Sequence, residues 1–400
     1  MGCFIMPNLP WADSKKLDEK DFYNREQEIN NLSNILDSTG ESHAPKILLT
    51  GIRRVGKTVL LNRIKDIMDE DYLVINMDFS MSQTYQKNNM SIEGLLNYYY
   101  NQIIKESKRR KLNTLDSKIN KFLKSNNFKL KDVLSFEHIP IPVITSERDL
   151  NKYIEFVFNL PEKIYEKNKD NIKGVIIIID EFQIIKEIGN YLESFLWVFR
   201  GYITGQPNIA YILSGSMSLQ DKLISEIAGL NGVFGGGMIT IHVNPFTKET
   251  TRKYLEEKAP EIIFTDEGFE RFYKCTSGIP AYINIFARLL PSDVVLDESR
   301  VVENFDNNLP MIITHLINQW NRLTIKEKDI VIELLDKPLK RIELADNLGV
   351  KSGSLGGKLN NLINQGLISN VNGKYEVTAL LLKRWLILEY EKNNIYPYKI

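Results

Sequence analysis

Five short apolar runs, each bounded by Gly, Pro, Asn, Asp or Ser, occur in the first 245 residues of the chain. They do not alternate with polar residues, which is typical of strands that are buried on both faces of a parallel sheet. Segments with apolar residues at helical spacing lie between them. The pattern therefore predicts an α/β fold with a parallel sheet of about five strands. The predicted strands are Pro45–Thr50, Tyr72–Asp78, Gly174–Ile179, Asn208–Ser214 and Met238–Val243.

The spacing of these runs predicts how the chain is divided. About ninety residues separate the second run from the third, far more than a crossover between parallel strands requires, so we predict a helical, lysine-rich insertion at about 81–170. After Pro245 the pattern becomes helical, and Gly278-Ile-Pro280 interrupts the second of these helices. The predicted domains are a sheet core at 1–245, a helical segment at 246–317 and a C-terminal unit at 318–400.

The C-terminal unit has the pattern of a winged helix. Three short helices are predicted at Leu323–Leu335, Arg341–Leu348 and Ser352–Leu362, with Gly349-Val350 as the turn between the last two. A hairpin is predicted within Leu367–Val377, because Asn372-Gly373 suits a type I′ turn between alternating strands.

Composition and charge exclude several classes of function. The 400 residues contain 51 basic and 51 acidic side chains, so no global field favours nucleic acid or an anionic membrane. Two cysteines are too few for a disulfide framework, and the four histidines have no metal-ligand spacing. No apolar window approaches the length of a membrane span. These observations favour a cytoplasmic protein with no membrane segment.

The segment Gly51-Ile-Arg-Arg-Val-Gly-Lys-Thr58 has the spacing of a phosphate-binding loop, or P-loop, between a strand and a helix. In such a loop the glycines let backbone amides turn toward the phosphates, Lys57 neutralises the β- and γ-oxygens, and Thr58 offers a hydroxyl to Mg²⁺. The alternative is a glycine-rich turn with an exposed lysine, and the flanking strand and helix argue against it. The predicted nucleotide contacts are Gly51, Ile52, Arg53, Arg54, Val55, Gly56, Lys57, Thr58 and Val59.

Two carboxylates follow the third predicted strand directly. Asp180 stands where a side chain at the carboxyl edge of the sheet can bind Mg²⁺, and Glu181 could accept a proton from the attacking water. By itself the pair could equally be an acidic strand end that caps the next helix, but the upstream P-loop favours the catalytic interpretation. Gln183 is a weaker candidate for a contact with the γ-phosphate or the water.

Leu213-Ser-Gly-Ser216 ends the fourth predicted strand, so its hydroxyls could project from the same sheet edge. Ser214 is the candidate sensor of the γ-phosphate. The alternative is an ordinary turn into a helix with Ser216 as its N-cap.

These motifs and their order resemble those of archaeal-type P-loop ATPases, which are relatives of the STAND and AAA+ proteins and carry a C-terminal winged helix. The resemblance implies that Arg25 lies near the adenine, that residues 246–317 form a helical lid with Pro280 over the nucleotide, and that ATP is the nucleotide. The matching segments are Asn24-Arg-Glu26, Gly51–Thr58, Ile179-Asp-Glu-Phe-Gln183, Leu213-Ser-Gly-Ser216, Asn244-Pro-Phe246 and Gly278-Ile-Pro280.

One departure from the family pattern concerns an arginine. Members often carry Gly-Arg just before the strand that leads to the Pro-Phe segment, whereas this chain has Phe234-Gly-Gly-Gly-Met238. If that arginine acts on a neighbouring subunit's nucleotide, its absence weakens the prediction of a ring-type homo-oligomer with fast turnover. Arg200 is a candidate substitute, with a surface salt bridge as the alternative role.

Two basic regions are candidates for contact with double-stranded DNA. In the winged helix, Lys351, Ser354 and Lys358 would face the major groove and Lys374 a phosphate. The segment Lys105–Lys131 carries ten basic and two acidic residues, a denser positive charge. The alternatives are a winged helix that contacts a protein partner and an insertion whose charges are merely solvated.

The sequence thus predicts Mg²⁺-dependent ATP binding and hydrolysis to ADP and phosphate, driving a conformational switch. A nucleotide-gated interaction module with little or no turnover is the alternative, and a DNA motor or loader is a third hypothesis.

Overall fold

A computed structural model describes residues 9–10, 17–18, 21–87, 89–126, 143–215, 222–229, 232–292 and 294–398. Within these residues the chain divides into two compact units, one spanning 10–250 together with 279–281 and the other containing residue 9 together with 251–278 and 282–398. The predicted winged-helix segment and most of the predicted lid fall within the second unit, whereas 246–250 and 279–281, which include Pro280, belong to the first. Their separation into two domains, and the boundary at 245, stay predictions.

The first unit is built on a sheet of five parallel strands in the order β2-β3-β4-β1-β5. The predicted α/β class and each of the five predicted strands are confirmed. The strands are β1 (Lys46–Thr50), β2 (Leu73–Asp78), β3 (Val175–Asp180), β4 (Ile209–Ser214) and β5 (Ile239–His242). The helices are α1 (Glu26–Leu36), α2 (Lys57–Met68), α3 (Gln83–Gln86), α4 (Ile92–Arg109), α5 (Asp116–Ser125), α6 (Glu147–Asn168), α7 (Leu192–Thr204) and α8 (Lys222–Ala228).

Successive side chains of the central strands pack into two different cores, one on each face of the sheet. On β3, Ile176 and Ile178 join the core formed with α1 and α2, whereas Ile177 and Ile179 join the core on the opposite face. A strand covered on both faces has no solvated side, and this explains why its sequence is a continuous apolar run.

The helical insertion contributes to the hydrophobic core on one face of the sheet. Its helices α4 and α6 contribute Tyr99, Tyr100, Tyr153 and Val157 to the core on the face opposite α2. The predicted insertion at 81–170 is therefore an integral cover of the sheet, although residues 88 and 127–142 lie outside the described part of the chain.

Part of the basic charge of the insertion is engaged in contacts with the C-terminal end of α2. Arg109 donates to both carboxylate oxygens of Asp69 at 2.8 and 2.7 Å and to Glu106 at 2.7 Å. Arg110 donates to the backbone carbonyl of Glu70 at 2.9 Å. These contacts fix α4 against α2 and reduce the charge that this segment can offer to nucleic acid.

The second unit is mostly helical and contains two small sheets. One sheet pairs β6 with β7, and the other has the order β8-β10-β9. Pro280 is the first residue of α11, a position where the missing N–H of proline costs no helical hydrogen bond. The elements from 248 onward are α9 (Lys248–Lys258), β6 (Ile263–Phe264), α10 (Asp266–Thr276), α11 (Pro280–Leu289), β7 (Val295–Leu296), α12 (Glu298–Ile312), α13 (Thr314–Arg322), α14 (Ile325–Glu333), β8 (Leu339–Lys340), α15 (Arg341–Asn347), α16 (Gly356–Asn364), β9 (Ile368–Val371), β10 (Lys374–Val377) and α17 (Leu380–Asn393).

The third short helix of the C-terminal segment differs from its prediction. Ser352–Leu355 is a 3₁₀ turn, and the α-helix begins only at Gly356. Glycines at 353, 356 and 357 disfavour a regular helix, which explains the late start. Asn372 and Gly373 have φ values of 52° and 80°, as a type I′ turn requires.

No described helix is long and apolar enough to cross a membrane.

Candidate nucleotide site

Every strand of the five-stranded sheet ends in a polar residue at its carboxyl edge. Because the strands are parallel, these ends meet along one edge, where ligands bind in open α/β sheets. The predicted Asp180 and Ser214 end β3 and β4, on neighbouring strands of the sheet. The five terminal residues are Thr50, Asp78, Asp180, Ser214 and His242.

The loop between β1 and α2 has backbone conformations that favour glycine. Gly51 has φ 151°, and a Cβ there would lie 2.7 Å from the carbonyl oxygen of Val243. Gly56, at the N-terminus of α2, has φ 100°. The loop can therefore place its amides and the positive end of the α2 dipole around an anion.

Lys57 is a buried cation inside this loop. Its ammonium group donates to the backbone carbonyls of Gly51 and Ile52, each at 2.9 Å. Burial lowers the pKa of Lys57 to about 8, although the charges of Asp180 and Glu181 oppose this shift. A phosphate beside Lys57 would favour the ammonium form and raise this pKa again, so the lysine is suited to bind a polyanion.

Thr58 and Asp180 lie in direct contact. The Thr58 hydroxyl donates to a carboxylate oxygen of Asp180 at 2.6 Å, although the two residues are 122 positions apart. Hydroxyl and carboxylate oxygens suit Mg²⁺, which usually keeps several waters and binds through one or two protein ligands and substrate phosphates.

Glu181 occupies a strained backbone position immediately after β3. Its φ and ψ are 54° and 35°, in the left-handed region that few non-glycine residues adopt, and such strain is concentrated at functional sites. Burial raises the pKa of Glu181, and the neighbouring Asp180 charge adds to the rise. The amide of Gln183 donates to its carboxylate and opposes that rise. A partly buried carboxylate of raised pKa is suited to take a proton from water.

Ser214 carries a hydroxyl that lacks a hydrogen-bond partner among the described residues. The side chain is buried at the end of β4, beside Leu49 of β1. An enclosed hydroxyl without a partner is costly, so a ligand oxygen at this edge would satisfy it. Ser216, the N-cap of the alternative interpretation, lies outside the described residues.

Comparison with known proteins identifies the family. Residues 22–286 match the profile of a family described as an ATPase domain predominantly from Archaea. The chain belongs to this family. The matched residues include the P-loop, Asp180, Glu181 and Ser214.

Individual relatives agree with this membership. One ATP-binding protein of Methanocaldococcus jannaschii is 27% identical over 276 residues, which cover 66% of this chain and 68% of the relative. Another from the same organism is 29% identical over 286 residues, 70% of this chain and 74% of the relative. Among solved structures, a Walker-type ATPase of Pyrococcus abyssi matches with a TM-score of 0.57 and 20% identity over 92% of this chain and 97% of its own. This match with a solved structure shows a similar fold and nothing further.

In this ATPase domain, Arg25 contacts protein groups around the P-loop. Its guanidinium donates to the carbonyl oxygens of Val55 and Asn244 and to the carboxylate of Glu28. The adenine contact of Arg25 and the lid role of Pro280 stay predictions.

The position of Arg200 bears on the missing family arginine. Its guanidinium lies 5.2 Å from the centre of the Trp197 ring, and a Cβ built on Gly235 would lie 3.9 Å from its Nη2 atom. Arg200 thus lies beside the glycine turn in which this chain lacks the arginine. Its action on a nucleotide stays a prediction.

Sequence reasoning missed three of the five strand-end residues. Asp78 pairs in register with Asp180, and His242 shares a 2.9 Å hydrogen bond with Thr50, the residue that precedes Gly51. A signal was present, because each predicted apolar run ends in or near a polar residue. Only the pairing of the strands shows that these ends are neighbours.

Proposed function

We propose that the protein binds ATP with Mg²⁺ and hydrolyses it to ADP and phosphate. The observation that carries this proposal is the contact between Thr58 and Asp180, which joins the P-loop to the end of β3 with Glu181 directly adjacent. A P-loop, a metal-binding pair and a base on one sheet edge are the parts that phosphoryl transfer to water requires.

Each group has a separate task in this reaction. Loop amides and Lys57 bind the β- and γ-phosphates, and Thr58 and Asp180 hold the metal and its waters. Bound Mg²⁺ would neutralise charge that develops on the phosphate oxygens. Glu181 accepts the proton of the attacking water, and Gln183 holds the Glu181 carboxylate in place. In this proposal the state of the nucleotide sets the arrangement of the core, the lid and the C-terminal segment.

Turnover by the purified protein tests the proposal directly. We expect release of phosphate from ATP in the presence of Mg²⁺ and its loss when EDTA removes the metal, with [γ-³²P]ATP as substrate and GTP as the competing nucleotide. Tight ATP binding without phosphate release would support the nucleotide-gated module instead. Absence of both would contradict the proposal.

Replacement of Ser214 tests whether its hydroxyl contacts the γ-phosphate or only packs at the end of β4. We expect Ser214→Ala to lower kcat by about tenfold with little change in KM, because a single hydrogen bond made in the transition state is lost. Ser33→Ala is the matched control, since Ser33 on α1 also has an enclosed hydroxyl without a partner among the described residues. Equal effects of the two substitutions on kcat would show that Ser214 acts through packing.

A second proposed function is contact with double-stranded DNA through the C-terminal segment, which we interpret as a winged helix. Lys340 of β8 and Lys374 of β10 are directly opposite each other in antiparallel strands, and both are exposed. Like charges at such positions destabilise a sheet. Neither lysine has an ion-pair partner within the described chain, so a DNA phosphate is a suitable counter-charge.

The lysine pair gives this proposal a quantitative test. We expect Lys340→Ala/Lys374→Ala to weaken binding to duplex DNA and to reduce the slope of log affinity against log salt by about two, one for each lost phosphate contact. Lys326→Ala/Lys392→Ala, which removes two exposed lysines from helices of the same unit, is the control. An unchanged slope in the first variant would favour a protein-contact role.

A further inference from the structure

Arg25 joins three segments of the sheet unit that are far apart in sequence. The side chain is 8% exposed. Its Nη2 atom donates to the Val55 carbonyl of the P-loop at 3.2 Å and to the Asn244 carbonyl beyond β5 at 2.8 Å. Its Nη1 atom donates to Glu28 on α1 at 2.7 Å.

The same guanidinium also stacks on an aromatic ring. Its carbon lies 5.1 Å from the centre of the Phe246 ring, and Tyr23 meets that ring edge-on at 6.3 Å. Phe246 belongs to residues 243–250, the segment through which the chain leaves the sheet and enters α9. We call this the exit segment. Arg25 therefore contacts both the backbone and a side chain of the exit segment.

The bond to Val55 has a consequence for the P-loop. In a trans peptide unit the carbonyl and the following N–H point in opposite directions. Holding the Val55 carbonyl toward Arg25 therefore directs the Gly56 N–H away from Arg25, and in a P-loop such amides bind phosphate oxygens. Arginine suits this role, because its planar fork can donate several hydrogen bonds at once and stack on a ring.

We infer that Arg25 is a positioning residue that couples ATP binding at the P-loop to the order of the exit segment. ATP that binds the loop amides favours the peptide orientation that Arg25 holds, and Arg25 transmits this restraint to Asn244 and Phe246. The inference rests on the proposed binding of ATP and adds a path by which the bound nucleotide acts on the connection to α9.

Amide hydrogen exchange measures both ends of this coupling separately. In the wild-type protein, we expect saturating Mg-ATP to slow exchange in the P-loop, residues 51–58, and in the exit segment. In Arg25→Met we expect ATP to bind about tenfold more weakly, because the loop loses a buried hydrogen bond. At a saturating concentration, ATP should slow amide exchange in the P-loop of Arg25→Met but not in its exit segment. Arg25→Lys should recover part of the ATP-dependent slowing in the exit segment, because lysine keeps the positive charge but lacks the planar guanidinium group.

Arg252→Met is the matched control. Arg252 also stacks on a phenylalanine, 4.2 Å from the ring centre of Phe269, and pairs with Asp266 at 3.0 Å. We expect this variant to melt at a lower temperature and to keep the wild-type response to ATP in both segments.

The outcomes distinguish this inference from the proposed function. If Arg25→Met melts lower but ATP still slows exchange fully in its exit segment, Arg25 is merely structural and the inference is overturned. If the wild-type loop does not respond to ATP, the proposed function itself is wrong. Should Arg25→Met fail to fold, Phe246→Leu removes only the ring, and an unchanged response in its exit segment would likewise overturn the inference.

Discussion

Glu181→Gln is expected to bind ATP normally and to lose roughly a hundredfold to ten-thousandfold in kcat, the usual contribution of a general base. The amide keeps the size of the carboxylate but cannot accept the proton of the attacking water. Single-turnover release of phosphate from pre-bound ATP measures the effect, because it separates chemistry from nucleotide binding. Affinity is measured in parallel by titration with Mg-ATP.

Glu187→Gln is a suitable control for this substitution. Glu187 lies six residues further along, in the 3₁₀ segment Phe182–Tyr191 that follows Glu181, and partial burial of its carboxylate raises its pKa as well. We expect it to keep wild-type turnover. Wild-type turnover by Glu181→Gln would exclude Glu181 as the base, and a loss of ATP affinity without a change in kcat would assign it to binding.

Lys57→Met is expected to weaken ATP binding by roughly a hundredfold or more, because charge-assisted hydrogen bonds to the phosphates are lost. Lys46→Met provides an unusually close control. Lys46 begins β1, the strand before the P-loop. Burial lowers its pKa to about 8 as well, and its ammonium donates to three backbone carbonyls. We expect Lys46→Met to melt at a lower temperature and, while folded, to bind ATP as the wild type does. Equal losses of affinity would show that Lys57 acts through the fold.

The lowered pKa of Lys57 also predicts how ATP affinity depends on pH. Bound phosphates favour the ammonium form, so the pKa in the complex lies above the value of about 8 in the free protein. Binding therefore takes up a proton above about pH 8. The affinity for ATP should be constant just below about pH 8. It should fall by at most about tenfold per pH unit as the pH rises from the pKa of Lys57 in the free protein to its pKa in the complex. The fall should persist in Lys46→Met and be absent in Lys57→Met.

The local pattern of the chain determined the strands, the P-loop and the two acidic residues at Asp180 and Glu181. A strand covered on both faces must be apolar throughout, and a loop around phosphates needs glycine where φ is positive. Both features therefore depend on a short run of consecutive residues and can be recognised from the sequence. The family is visible for the same reason, since its motifs are short and lie on consecutive residues.

The tertiary structure decided the roles of residues whose partners are distant. The motifs assigned Thr58 and Asp180 to one predicted Mg²⁺ site, but the hydrogen bond between them is seen only in the folded chain. No spacing in the sequence reveals that Lys340 is opposite Lys374, because strand order and register arise from packing. The sequence suggested that the basic residues of the insertion could bind nucleic acid. In the folded chain, Arg109 and Arg110 instead contact Asp69 and Glu70 at the end of α2. Arg25 is the clearest case: the family resemblance implied a place near the adenine, which stays a prediction, and only the folded chain shows that its guanidinium bonds to the Val55 and Asn244 carbonyls. A side chain's type limits what it can do, and only the folded chain sets which groups it meets.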